Sequence, residues 1–137
     1  MATSYTFKYL PEPGLDSFGN LVDVYRPFIP VKLGHRRKIG RPFYALVGSG
    51  SDRNFFPAAL GLVLGINVRK GSLRKVMGIG QYELKSYTHT VNFYLGSKEF
   101  KTEVDFSYEQ EVPLLGRRGF FSLFKSIKFS KAKEKWS

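Results

Sequence analysis

The chain contains no cysteine, which excludes disulfide bonds, zinc–thiolate sites and a cysteine nucleophile. It has only two histidines, His35 and His89, and they lie too far apart to form a metal-binding motif. No apolar run approaches the roughly 20 residues that a membrane-spanning helix needs, and residues 1–5 lack the basic-then-apolar pattern of a signal peptide. The sequence therefore predicts no metal, no cofactor and no membrane partner, with the cytoplasm as the expected location.

Acidic residues are scarce: 11 Asp and Glu face 22 Lys and Arg, a formal net charge of +11. Such a balance permits attraction to nucleic acid or to acidic surfaces. The densest basic cluster, residues 35–38 with Arg41, fits a solvated loop as well as a phosphate site. Nucleic acid is therefore not expected as the main partner, although a basic β-rich module that binds single-stranded nucleic acid stays as an alternative.

The length of 137 residues and the 42% hydrophobic content predict one domain with a buried core. Apolar and polar residues alternate in stretches such as 5–9 and 91–95, which is the period-two pattern of half-buried strands. The fold is therefore expected to be mainly β, and no internal repeat is present. Strands are predicted near residues 4–10, 21–25, 28–33, 42–47, 73–77, 81–95, 98–106 and 126–129, with helical stretches at 57–64 and about 118–124.

Three segments carry the strongest functional signal. Residues 43–52, FYALVGSGSD, are an apolar strand that runs into a loop of small residues. Residues 74–81, RKVMGIGQ, are a glycine-rich stretch between two predicted strands. Residues 112–121, VPLLGRRGFF, are an apolar pair followed by Gly-Arg, with a short helix and a last strand expected after them.

In this order, the three segments resemble the active-site loop, the flap and the C-terminal signature of retropepsin-like aspartic proteases, especially the bacterial members. The loop matches the family's Asp-Thr/Ser-Gly pattern at Ser49 and Gly50, but Gly48 stands where the family carries its catalytic Asp. The resemblance implies a retropepsin-like closed β-barrel, half of an acid protease, with one short C-terminal helix and a flap hairpin. It divides the chain into an N-terminal extension or strand (1–20), a protease domain (21–130) and a basic C-terminal tail (131–137).

The resemblance also implies an aspartic endopeptidase in which two Asp side chains, one from each subunit of a homodimer, activate a water for peptide hydrolysis. Ser49 would hydrogen-bond across the dimer, and Gly50 would allow close approach of the backbone. Asp52 would lie near the substrate backbone and pair with Arg117, or with Arg118, to tie the loop to the C-terminal segment. Peptide or protein substrate would also contact the flap residues Val76, Met77, Gly78, Ile79 and Gly80.

Gly48 implies that the chain is inactive as it stands. Asp52 is no substitute, because Arg53 and Asn54 follow it instead of Ser-Gly and its carboxylate would point elsewhere. An engineered substitution and natural decay to a non-catalytic peptide-binding protein both fit, and the intact remainder of the loop favours engineering. A serine nucleophile or a phosphate loop is excluded, since residues 46–52 match neither Gly-x-Ser-x-Gly nor a Lys-Ser/Thr phosphate loop.

Overall fold

The structure is a computed structural model that describes residues 4–77 and 83–130. Within these residues it is built mainly of strands, with one short α-helix and two 3-10 turns. The strands are β1 (Leu10–Leu15), β2 (Leu21–Arg26), β3 (Phe28–His35), β4 (Lys38–Ile39), β5 (Phe43–Val47), β6 (Phe55–Pro57), β7 (Ser72–Met77), β8 (Glu83–Leu95), β9 (Lys98–Ser107) and β10 (Leu114–Leu115). The helix is α1 (Ala58–Leu62), and the 3-10 turns are Val68–Lys70 and Phe121–Leu123.

Six strands close into a barrel in the order β3, β5, β10, β6, β9 and β8, because β8 pairs back onto β3. Alternate residues of each strand point inward, so Phe56, Phe93 and Phe106 are fully buried at the centre of one hydrophobic core. Burying each of these rings contributes about 1.5–3 kcal/mol. The predicted fold class, a mainly β closed barrel, is confirmed.

The helix α1 follows β6 directly, with Pro57 as its N-cap residue. It ends in a Schellman motif: the Ile66 N–H donates to the Gly61 oxygen at 3.1 Å and the Gly65 N–H to the Leu62 oxygen at 3.0 Å. Gly65 adopts a φ of +78°, which glycine tolerates best. The predicted helix at 57–64 is thus present but shorter, and no helix among the described residues is long and apolar enough to cross a membrane.

Three sequence predictions differ from the structure. Residues 4–9 and 126–129 form no strand, although side chains at alternate positions of 5–9 are half-buried. A strand needs a neighbour to pair with, and neither residues 4–8 nor residues 126–129 have a strand partner within the described part of this chain. The helix expected at about 118–124 is only the 3-10 turn at 121–123.

An unpredicted hairpin, β1–β2, forms a separate two-stranded sheet. Pro11 and Pro13 are turn-forming residues by local preference, yet both lie in β1, whose sole partner among the described strands is β2. Residues two apart in a strand present their backbone N–H groups to the same side, so both prolines can occupy the unpaired edge without costing a ladder hydrogen bond. The predicted domain boundary after residue 20 falls in the loop of this hairpin.

Candidate active site

The loop that follows β5 is held against the C-terminal strand β10. Leu46 pairs with Leu114 and Val47 with Leu115 in parallel register. The Gly48 N–H then donates to the Leu115 carbonyl oxygen at 2.9 Å, which fixes the first residue after the strand. The Ser51 N–H donates to the Gly48 oxygen at 3.0 Å, so the chain turns tightly across residues 48–51.

Gly48 lies in open space at the mouth of this turn. A Cβ atom built at Gly48 would meet no atom within 4 Å, and the same holds for Gly50. The φ of Gly48 lies outside the left-handed region, so a side chain would not strain the backbone. Ser49 and Gly50 are exposed, and Gly48 is half-buried. The loop therefore presents its small residues outward and leaves room for a side chain at position 48.

Asp52 forms an ion pair with Arg117, which answers the question the sequence left open between the two neighbouring arginines. Arg118 contributes through its backbone instead, because its N–H donates to the backbone carbonyl oxygen of Asp52 at 2.8 Å. The Arg117 N–H donates to the Ser51 oxygen at 2.9 Å. The loop and the C-terminal segment are thus joined by two backbone hydrogen bonds and one side-chain ion pair.

We expect the ion pair between Asp52 and Arg117 to contribute little to stability. Their side chains are 81% and 62% exposed, and exposed pairs contribute about 0–1 kcal/mol. The variant Arg117→Gln should therefore lower the free energy of unfolding by less than about 1 kcal/mol in urea titration. A larger loss of unfolding free energy would mean that the ion pair, and not the two backbone hydrogen bonds, holds the loop in place.

A buried asparagine, Asn54, supports the loop from below. Its Oδ1 accepts from the Gly116 N–H at 3.0 Å, and its Nδ2 donates to the backbone carbonyl oxygen of Glu103 at 3.1 Å. Gly116 cannot carry a side chain, because a Cβ there would lie 2.3 Å from the Arg53 oxygen. The Gly in the Gly-Arg motif is thus required by the close crossing of the two segments. Asn54 was not predicted as part of the site.

Arg53 was not predicted as part of the site either, and it points inward instead of towards the loop surface. Its guanidinium bonds both oxygens of Asp105, with Nε–Oδ2 at 2.7 Å and Nη2–Oδ1 at 3.1 Å, and it lies 3.3 Å from the Glu103 carboxylate. The hydrogen bond with Asp105 is the main reason that the pKa of Arg53 is raised, and burial opposes it. Thr88 donates to Asp105 Oδ1 at 2.7 Å and accepts from Arg74 Nε at 3.2 Å. A polar chain therefore runs from the loop through β9 and β8 to β7.

The segment predicted to be a flap is described only at its base. The strands β7 and β8 pair antiparallel up to Met77 opposite Glu83, and Met77 is exposed. The predicted substrate contacts Gly78, Ile79 and Gly80, and the side chain of Val76, lie outside the described residues, as does the predicted tail 131–137. The structure brings Gly48, Ser49, Gly50, Asp52 and Arg117 together at one end of the barrel.

Sequence comparison alone finds no relative: no protein-family model matches the chain, and no curated protein does. Among solved structures, the chain is similar to an EIAV protease complexed with the inhibitor HBY-793. The match has a TM-score of 0.55 and 22% identity, and it covers 67% of this chain and 82% of the EIAV chain. At this identity the likeness shows the fold, and the chain accordingly has the retropepsin-like fold that its motifs predicted.

Proposed function

We propose that the chain is one subunit of a retropepsin-like aspartic endopeptidase in which Gly48 occupies the position of the catalytic Asp. One observation carries this proposal. Gly48 is the first residue after β5, it is hydrogen-bonded to Leu115, and it opens onto free space in a chain with a retroviral protease fold. Without a carboxylate at this position the subunit is inactive as it stands.

The chemistry of this class requires two carboxylates that share one proton around a water. One takes a proton from the attacking water while the other protonates the peptide carbonyl, so no metal and no covalent intermediate is needed. The chain has one such loop and no internal repeat. A second copy must therefore supply the second loop, and a homodimer with a two-fold axis between the two Gly48 residues follows.

The terminal segments support a dimer. A cavity of about 570 Å³, named here the terminal cavity, lies between residues 4–9 and residues 124–130. Its lining includes Phe7, Ile127 and Phe129, and Phe129 is exposed in the single chain. Residues 5–8 and 126–129 have the alternation of strands, and neither stretch has a strand partner among the described residues. We propose that terminal segments of the partner subunit supply those partners.

The substrate is an extended peptide held between loop and flap. Ser49, Gly50 and Asp52 are exposed and would line the loop side, and the Ser49 hydroxyl would hydrogen-bond to the partner's loop. Val76 to Gly80 would cover the peptide from the flap side, and the glycines at 78 and 80 allow the flap to bend. Arg117 holds Asp52 from the C-terminal segment.

The direct test is Gly48→Asp, which is expected to create proteolysis. The second candidate is a pseudoprotease that binds peptides without cutting them, favoured by the same intact loop that lacks a carboxylate. If the Gly48→Asp protein binds a peptide library but cleaves none of it, the pseudoprotease reading replaces the first.

We expect Gly48→Asp to weaken the dimer at neutral pH. Two facing carboxylates repel, and two unit charges 4 Å apart cost between about 1 kcal/mol in water and about 4 kcal/mol near a protein surface. Repulsion in the dimer raises the pKa at which the pair loses its last proton. Near neutral pH the dimer therefore binds more protons than the separated chains, and dimerisation strengthens as pH falls from there.

Sedimentation equilibrium at about pH 7 and about pH 4.5 measures this effect, with Gly48→Asn as the uncharged control of the same shape. At the higher pH the dissociation constant of the Asp variant should exceed that of the Asn variant by about fivefold to a thousandfold. The difference should shrink at the lower pH. If the Asp form dimerises more tightly at neutral pH, the two loops do not face each other.

A further inference from the structure

A second cavity of about 570 Å³ lies away from the loop, between the β3–β4 turn and the chain that follows α1. Arg36, Arg37 and Lys38 line it from the turn, while Asn67 and Lys70 line it from the other side. None of its lining residues is acidic, and the one aromatic ring among them is the imidazole of His35. We name it the basic cavity.

Four cations line the basic cavity, and none of them has an ion-pair partner among the described residues. Burial and then the neighbouring Arg36 charge lower the pKa of His35, another lining residue, and so disfavour a further positive charge there. None of the ion pairs within the described part of the chain involves Arg36, Arg37, Lys38 or Lys70. The pocket therefore holds uncompensated positive charge drawn from two separate chain segments.

Arg36 is the first residue of the two-residue turn that joins β3 to β4, where His35 pairs with Lys38. The φ of Arg36 is +56°, and Arg36 is the sole non-glycine residue with positive φ among those the structure describes. Glycine or asparagine normally occupies such a turn position, and another residue there costs about 1 kcal/mol. A two-residue hairpin turn requires a positive φ at this position, so the strain belongs to the turn, and the turn places Arg36 at the cavity.

We propose that the basic cavity binds a compact anion that carries two or more phosphate groups. Its volume is within the usual range for small-ligand sites. Guanidinium and ammonium groups are the usual ligands of phosphate oxygens. Four cationic side chains and one imidazole line the cavity, so recognition rests mainly on the phosphates. This proposal is independent of the protease function.

The test is calorimetric titration of the full chain with inorganic tripolyphosphate, with inorganic phosphate as the weaker comparison. We expect binding that weakens as salt rises from about 50 to about 200 mM. Arg36→Asn removes a charge but keeps a residue that tolerates positive φ, and Lys70→Gln removes a charge from the opposite wall. Each should weaken binding by about fivefold to tenfold. Lys125→Gln, a matched loss of charge beside the terminal cavity, should leave binding unchanged.

Three outcomes would overturn the proposal. The first is no tripolyphosphate binding at low salt. The second is equal weakening by Lys125→Gln, which would indicate attraction to the net charge. The third is tighter binding of an oligoribonucleotide than of tripolyphosphate, which would assign the surface to nucleic acid. Thermal unfolding checks that the variants fold, and Arg36→Asn should be at least as stable as the parent because it relieves the strained turn.

Discussion

Gly48→Asp is expected to raise peptide hydrolysis from background to a rate at least about a thousandfold higher, since positioned acid–base groups each contribute about 10²–10⁴. The substitution is compatible with the fold. Nothing lies within 4 Å of a Cβ at Gly48, and the φ of this residue suits any side chain. The hydrogen bond from Gly48 to Leu115 involves only the backbone and survives the change. A carboxylate would thus appear at the loop without rebuilding it.

The pH dependence of the restored activity follows from the shared proton. Two carboxylates close together cannot both ionise comfortably, so one pKa of the pair falls and the other rises. Catalysis needs the singly protonated pair, which exists between these two pKa values. Activity should therefore be highest at acid to mildly acid pH and fall towards neutrality, where the dimer is also expected to weaken.

The measurement is digestion of a peptide library followed by mass spectrometry, across pH values from about 3 to 8. Gly48→Asn, purified in the same way, controls for contaminating proteases because it has the shape but cannot ionise. Pepstatin-like or retroviral-protease inhibitors should abolish the cleavage. A folded, dimeric Gly48→Asp protein that cuts no peptide would exclude Gly48 as the position of a lost catalytic group.

The sequence predicted the parts of the fold that depend on repeating patterns. Alternation located β8 and β9 within a few residues, because their inward side chains, such as Phe93 and Phe106, form the core. The order of the small-residue loop and the Gly-Arg motif predicted that the two segments meet. The structure gives the physical reason for one motif residue: Gly116 passes too close to the Arg53 backbone for any side chain.

What the sequence could not predict depends on long-range partners. Pro11 and Pro13 are turn residues by local preference, and only their place on an unpaired edge makes them compatible with a strand. Asp105 also gave no signal, because alternation along β9 assigns it to the solvent face. It is nevertheless buried, since Arg53 from a loop 52 residues away covers and pairs with it. The alternation of apolar and polar residues along one sequence carries no information about a pair between residues so far apart.

The pair between Arg53 and Asp105 leads to the second large expected effect, a loss of stability in Asp105→Ala. The Asp105 side chain is 3% exposed and that of Arg53 is 15% exposed. Removing one partner of a buried ion pair leaves the other charge without compensation and costs about 3–5 kcal/mol. Thr88 loses its acceptor in the same variant. We therefore expect the free energy of unfolding of Asp105→Ala to fall by this amount in urea titration.

Glu103 provides a matched control, because its carboxylate contacts the same Arg53 guanidinium. Glu103 also contacts Arg53, at 3.3 Å, but its side chain is 52% exposed, so Glu103→Gln should cost less than about 1 kcal/mol. All variants are compared at one protein concentration, because dimerisation adds to the apparent stability. Similar small losses in both variants would show that water reaches the pair between Arg53 and Asp105.

The double variant Arg53→Met/Asp105→Leu separates the cost of an unpaired charge from the contribution of the pair itself. Replacing both partners of a buried pair by apolar groups of similar size is often neutral, so the double variant should recover most of the stability that Asp105→Ala loses. It would also cut the polar chain from the loop at Arg53 through Thr88 to Arg74 on the flap strand β7. If the Gly48→Asp enzyme keeps its stability but loses activity in this background, the polar chain positions the flap over the loop. If activity is unchanged, its role is confined to stability.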